Sequence, residues 1–225
     1  MPADPPARVT DAGDTSRLTP LVELQLVEAH RRGDPEAVGR LLAAYQRRMH
    51  AICHRMVRDD HTARDLTQES MLKVLQGLDG YDGRAKLSTW IIRVTMNCCL
   101  SHLRKQKLRR HASLDASTGD PESGGTSRAG PEPVAIREPT PPGRVEQAEM
   151  QAVLGRALSS LDPEMRAVLV LRDMQELEYH RIAEALEVPV GTIKSRLFRA
   201  RLALREAVEI ELERGRRARS SAASG

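Results

Sequence analysis

Apolar residues recur at helical spacing over most of the chain, and no stretch shows the strict alternation of a half-buried strand. Asp34-Pro35 reads as an N-cap followed by a first-turn proline. From there Val38, Leu41, Leu42, Tyr45, Met49, Ile52 and Met56 keep one face and predict a long amphipathic helix. A second helix is expected from Thr62 to Leu78, packed through Leu66, Met71, Leu75 and Leu78. Its outward side carries Asp65, Gln68, Glu69 and Lys73, a compact polar patch with an acidic bias. A third helix runs from Ser88 to Lys107 with two apolar flanks. Leu87, Ile91, Val94 and Cys98 lie on one flank, and Ile92, Met96, Cys99 and Leu103 on the other. Between them runs a polar stripe of Trp90, Arg93, Asn97, Ser101 and Arg104. Two apolar flanks predict a helix embedded in a bundle, with the stripe as its route to solvent or to a ligand.

The C-terminal half adds a different pattern. With about 100° per residue, Ile193, Leu197, Ala200, Leu204 and Val208 form an apolar seam. Lys194, Ser195, Phe198 and Arg199 fall opposite it, flanked by Arg196 and Arg201. Before the seam, Tyr179 to Leu186 reads as a short helix, and Glu187-Val188-Pro189 turns the chain. Ala183 has the small side chain that a close helix crossing needs. This is a helix-turn-helix whose second helix, basic and aromatic in front, suits the major groove of DNA. The turn position favours positive φ and hence glycine; Glu187 occupies it here.

Charge sharpens the reading. From Gly83 to Leu114 there is no Asp or Glu, while Arg84, Lys86, Arg93, Arg104, Lys105, Lys107, Arg109 and Arg110 all lie within it. A polyanion held through phosphate contacts is the natural partner of such a stretch. The net charge of the 225-residue chain is +4, so the cationic excess is local rather than global. Residues 1–20, rich in Pro, Ala, Asp and Thr, are expected to be a disordered tail, and 214–225 a short basic one. Residues 111–144 combine Gly-Gly, Pro-Pro, Ser and Thr without apolar periodicity, as a flexible linker does. The fold class expected is therefore all-α: two small helical domains, residues 21–110 and 145–213, joined by that linker.

Several functions are excluded by what is missing. No window reaches the apolar length of a membrane span and the N-terminus has no signal-peptide core, so the cytoplasm is the expected location. The histidines are scattered and there is no phosphate-cradling glycine loop; no catalytic residue, metal or cofactor is expected. Cys98 and Cys99 diverge by about 100° on their helix and poorly share a metal, so with Cys53 they read as core thiols.

Three motifs in order carry a family resemblance. Asp65-Leu-Thr-Gln-Glu-Ser-Met-Leu-Lys73, Tyr81 to Asn97, and Leu161-Asp-Pro to Arg201 together resemble the sigma-70 family, in its extracytoplasmic-function type: promoter-specificity subunits of bacterial RNA polymerase. The resemblance implies that the first motif (Asp65, Gln68, Glu69, Lys73) meets the clamp helices of the polymerase's largest subunit. It implies that the second reads and melts the -10 element through Tyr81, Arg84, Lys86, Trp90, Arg93, Asn97, Ser101 and Arg104. It implies that region 4 reads the -35 element through Arg172, Lys194, Ser195, Arg196, Phe198, Arg199 and Arg201. Core polymerase (clamp helices and flap), promoter DNA and an anti-sigma factor are the implied partners. The chain departs from the family pattern at Ser101, where Asp is common, at Met71, where Phe is common, and at Glu187, where Gly is common. A melting surface needs aromatic platforms beside cations, and only Tyr81 and Trp90 are on offer. Trp90 equally suits a core anchor.

Two other readings remain open on the residues alone. A stand-alone helix-turn-helix regulator would bind its site without polymerase, but has no use for the Asp65 to Lys73 helix. A helical interaction protein has no use for the Lys194, Ser195, Phe198 and Arg199 quartet.

Overall fold

The computed structural model describes residues 18–116 and 142–223, with side chains over 18–109 and 149–217. The 1–17 part of the expected tail and the 117–141 part of the expected linker lie outside the described residues. Eight α-helices follow in order: α1 Pro20–Arg31, α2 Pro35–Val57, α3 Asp60–Gly77, α4 Leu87–Ala116, α5 Pro142–Ser160, α6 Pro163–Leu169, α7 Tyr179–Leu186 and α8 Val190–Ala223. No strand occurs among the described residues.

Local chemistry sets the helix starts. Asp34 Oδ1 accepts from the Glu36 amide at 2.9 Å ahead of Pro35, and Asp162 repeats this with Glu164 ahead of Pro163. Asp59 caps α3 through the Thr62 amide at 2.7 Å. Where α2 and α7 end, the chain turns through Arg58 and Glu187 in the left-handed region, at φ 61° and 55°. After α6 the helix widens into a π turn over Val170–Met174, in which the Gln175 amide reaches back to the Val170 carbonyl.

The structure departs from the sequence expectations in four places. α1 was hidden in the sequence: Leu21 and Leu24 face outward, which blurs its apolar stripe. α4 continues past Lys107 to Ala116, because no glycine or proline stops it. α8 likewise runs through most of the expected basic tail to Ala223. Leu75, expected in the packing face of α3, is 37% exposed, beside Leu72 at 53%.

Helices α1–α4 form one bundle and α5–α8 a second, and the two share a core. One apolar cluster, with Tyr45, Met49, Val74, Tyr81 and Ile91, belongs to the first bundle alone. The other joins Ile52, Met56, Met96, Cys99 and Leu103 of α2 and α4 to Leu158, Ala167, Leu171 and Ile182. The bundles are therefore packed against one another through the embedded helix α4, chiefly by α7.

Candidate nucleic-acid interface

The reading helix has the two-sided character its sequence dictates. Ile193 and Ala200 are fully buried and Leu197 is 3% exposed, so the seam fixes α8 on α6 and α7. Lys194, Ser195 and Arg199 are exposed beside Phe198, which is 73% exposed. The other three expected members of this set are engaged internally. Arg196 is largely covered and pairs with Glu164 at 2.8 Å, tying α8 to the start of α6. Arg201 pairs with Asp173, whose hydrogen bond raises the arginine's pKa further. Arg172 donates to the Leu177 carbonyl at 2.9 Å and lies 4.9 Å over the Tyr179 ring, so it shapes the turn into α7.

The stripe on α4 is present, but its aromatic platforms are not open. Tyr81 is 6% exposed; its hydroxyl donates to the Ala85 carbonyl while Arg31 donates to its own carbonyl. It closes the 81–86 loop onto the bundle, because a tight loop with little apolar content needs one side chain to anchor it. Trp90 is half-buried, its ring 5.5 Å from that of Tyr81, and it rests on Gly77, where an added Cβ would sit 3.1 Å from the indole. In this conformation Tyr81 is a core residue and Trp90 packs, partly buried, against the same cluster. Asn97 and Ser101 are exposed, as are Arg84 and Lys86 on the loop. Arg84 pairs with Asp82 at 3.2 Å. The two remaining stripe cations are met by the second bundle: Arg93 donates to Glu187 at 3.3 Å and Arg104 lies 3.7 Å from Glu164.

Between the 81–88 loop and the turn before α7 lies an open groove of about 1090 Å³, with Arg47, Arg84, Lys86 and Arg181 on its walls. On α3, Asp65, Gln68, Glu69 and Lys73 are all exposed on one surface with Leu72 and Leu75. Lys73 pairs with Glu69 at 2.7 Å, and that hydrogen bond raises the lysine's pKa. Polar and apolar groups thus share one solvent-facing side of α3. Leu75 has a spacing that fits the packing face of α3 as well, which hides its exposure in the sequence.

All three cysteines are free and buried, as core thiols are. Cys53 on α2 and Cys99 on α4, both fully buried, bring their sulfurs to 3.7 Å, whereas Cys98 faces elsewhere. The Cys99 thiol donates to Cys53, which holds the Cys53 pKa down and pushes that of Cys99 up. Among the described residues no group of His, Cys, Asp and Glu is arranged to hold a metal, and no helix is long and apolar enough to cross a membrane.

Residues 41–109 match the family described as Sigma-70 region 2, and residues 151–204 match Sigma-70, region 4. The RNA polymerase sigma-H factor of Pseudomonas aeruginosa is 31% identical over 197 residues, covering 85% of this chain and 96% of that protein. The ECF RNA polymerase sigma-E factor of Escherichia coli K12 is 31% identical over 193 residues, covering 84% and 95%. SigW of Bacillus subtilis is 30% identical over 176 residues, covering 78% and 91%. In fold, the chain is similar to CnrH in its complex with the cytosolic domain of CnrY, at a TM-score of 0.54 and 19% identity, covering 85% of this chain and 97% of that one. It is similar also to RpoE of Bartonella quintana, solved with the anti-sigma factor NepR, at 0.53 and 22% identity, covering 76% and 96%. Both sigma-70 domains, in their family order and on the helices that carry the exposed cations, place this chain in the sigma-70 family as an extracytoplasmic-function-type sigma factor, a promoter-specificity subunit of RNA polymerase.

Proposed function

We propose that the exposed front of α8 reads the -35 element in the major groove, with Lys194, Ser195, Phe198 and Arg199 as contact residues. The single observation that carries this is the division of α8 into a seam on which Ile193, Leu197 and Ala200 are at most 3% exposed and a front on which Phe198 is 73% exposed. Arg172, Arg196 and Arg201 act behind that front by holding the turn, α6 and the π segment in place.

The -10 element is read along α4. Asn97 and Ser101 stand at the centre of the stripe, Arg93 and Arg104 grip phosphates at its two ends, and Arg84 and Lys86 steer the strand from the loop. Tyr81 and Trp90 support the loop from beneath. The α3 surface of Asp65, Gln68, Glu69 and Lys73 docks on the clamp helices of core polymerase, with Leu72 and Leu75 as its apolar centre. As a partner of polymerase the chain works in the cytoplasm as a non-catalytic subunit in this reading. An anti-sigma factor is the expected inhibitory partner, by likeness to a relative solved with one.

The test is reconstitution with core polymerase on fragmented genomic DNA, followed by sequencing of transcript starts. Starts that share paired upstream elements, and that shift in the upstream element alone when Arg199 or Lys194 is replaced, support the reading. Starts indistinguishable from those of core polymerase alone overturn it.

A further inference from the structure

Cys53 of α2 and Cys99 of α4 stand 46 residues apart in sequence and bring their sulfurs to 3.7 Å where the two helices meet. Both are fully buried, and neither belongs to the surfaces assigned above to DNA or polymerase. Sulfurs at that distance are in van der Waals contact. A disulfide bond of about 2.05 Å needs them about 1.7 Å closer, a displacement within reach of side-chain rotation. Cys98 is the neighbour of Cys99 in sequence but sits about 100° round α4, away from Cys53.

The pair has a polar setting inside an apolar cluster. The hydroxyls of Thr67 and Ser70, buried on successive turns of α3, reach Cys53 as the Cys99 thiol does. Each hydroxyl is fixed by its own helix: Thr67 donates to the Ala63 carbonyl at 2.7 Å and Ser70 to that of Leu66 at 2.6 Å. Around them pack Ile52, Met56, Ile92 and Met96. The bond from Cys99, ahead of those from the hydroxyls, holds the Cys53 pKa below its ordinary value. That same bond, and then burial, pushes Cys99 well up. One thiol is thereby the better nucleophile and the other keeps its proton, the division of roles between an attacking and a resolving cysteine.

We propose that Cys53 and Cys99 form an oxidisable dithiol, a modification site for hydrogen peroxide that closes as a disulfide between α2 and α4. Cys53 sulfur attacks the peroxide; the O–O bond breaks, an S–O bond forms, and the thiol proton leaves with the released oxygen as a first water. Cys99 sulfur then displaces the hydroxyl of the Cys53 sulfenic acid, forming the S–S bond and releasing a second water that carries the Cys99 proton. The two thiols lose two electrons in all, and one peroxide takes them up. Because both sulfurs are buried, the reaction waits on local opening of the first bundle and runs slower than at a surface thiol. Cys99 lies about 200° round α4 from both Asn97 and Ser101. The link therefore forms on the inner side of the helix, leaves the stripe exposed and restrains α4 from shifting against α2.

The deciding experiment uses the full parent chain, reduced and then exposed to hydrogen peroxide. Surviving thiols are alkylated in denaturant and the peptides mapped by mass. Exposure continues until the backbone amides around Cys53 and Cys99 have exchanged with deuterium in a parallel sample, so that opening has occurred. Cys53 and Cys99 are expected to disappear together into one cross-linked peptide pair, with Cys98 still open to alkylation and all three thiols restored by dithiothreitol. The oxidised chain is expected to melt about 5 °C or more above the reduced one. In Cys99→Ala, which lacks the resolving thiol, dimedone should label Cys53. Three intact thiols after that exposure, consumption of Cys98 in step with the pair, or sulfinic acid without a cross-link overturns the proposal. A cross-link with an unchanged melt supports the modification site and overturns the restraint on α4.

Discussion

The Arg166 guanidinium donates to the Met56 carbonyl at the end of α2 from 110 residues away in sequence. Its other donors go to the carbonyls of Leu158, Ser159 and Leu161 where α5 ends, so one side chain caps two helices from different bundles. Arg166 is 5% exposed, and burial lowers its pKa, yet a guanidinium stays charged at any working pH. Replacing it by Met keeps the apolar stem and strands buried carbonyl groups. The expected loss is about 3 kcal/mol, which in a chain of this length lowers Tm by roughly 10 °C in a thermal melt. A melt superimposable on the parent's would show that water serves those carbonyls equally well.

Tyr45 donates its hydroxyl to Glu23 inside the α1–α2 contact, and both residues are buried. Burial first, and then the Glu23 carboxyl, raise the Tyr45 pKa well above its ordinary value near 10. A pKa raised on folding means that the protonated phenol stabilises the native state. That contribution is complete below pH 10 and is lost as pH climbs through the range between the two values. Tyr45→Phe is therefore expected to be less stable at neutral pH, by about 1–3 kcal/mol, because the buried Glu23 loses its donor. Above pH 10 the variant's stability should fall less steeply than the parent's, and denaturant titrations at a series of alkaline pH values measure both slopes. Parallel slopes would mean that Tyr45 does not carry the alkaline transition.

Much of this architecture is legible in the sequence, because short-range rules govern it. The Asp34-Pro35 cap, the two flanks of α4 and the Tyr179–Leu186 helix need only periodicity and end signals. The sidedness of α8 is local too, and Ile193 and Phe198 fall as a wheel requires. What is not legible depends on contacts made far along the chain. Leu75 sits at the edge of the expected packing face and becomes exposed because no helix covers that side of α3, where Leu72 also lies. Tyr81 looks like a loop aromatic free to stack until Arg31 and Trp90 enclose it. Cys53 finds Cys99 across a helix crossing that no spacing rule foretells. Glu187 reads as a mild blemish in a turn, and its partner Arg93 comes into view only once the bundles are packed.

The α3 patch offers a test that leaves the fold alone. Asp65 and Glu69 are exposed, and their only ion pairs among the described residues are with His61 and Lys73 on the same helix. Local pairs of this kind are worth a few tenths of a kcal/mol. The double variant Asp65→Lys, Glu69→Lys should therefore melt within a few degrees of the parent. If the patch faces the clamp helices, reversed charge around the apolar centre of the contact abolishes association with core polymerase in a pull-down. Recovery of core at parental levels would assign the patch to ordinary helix surface, and Leu72→Asp then tests whether the leucines alone suffice.

Arg199 and Lys194 stand together on the front of α8, and their chemistry differs enough to separate their roles. A guanidinium bonds two base-edge acceptors at once, whereas an ammonium acts as a point charge suited to phosphate. In the holoenzyme, Arg199→Ala is expected to cost about 1–3 kcal/mol on the preferred -35 element and to flatten the preference at one base pair. Lys194→Ala should weaken all -35 sequences alike and reduce the slope of log affinity against log salt by about 1. A panel of single-base -35 variants, assayed at two salt concentrations, reads both effects in one experiment. The two substitutions exchange signatures if the helix enters the groove rotated by one residue, about 100°, which would bring Ser195 and Arg199 to the backbone and Lys194 to the bases. Phe198 lies between them on the same front, so its loss should hurt binding under either rotation.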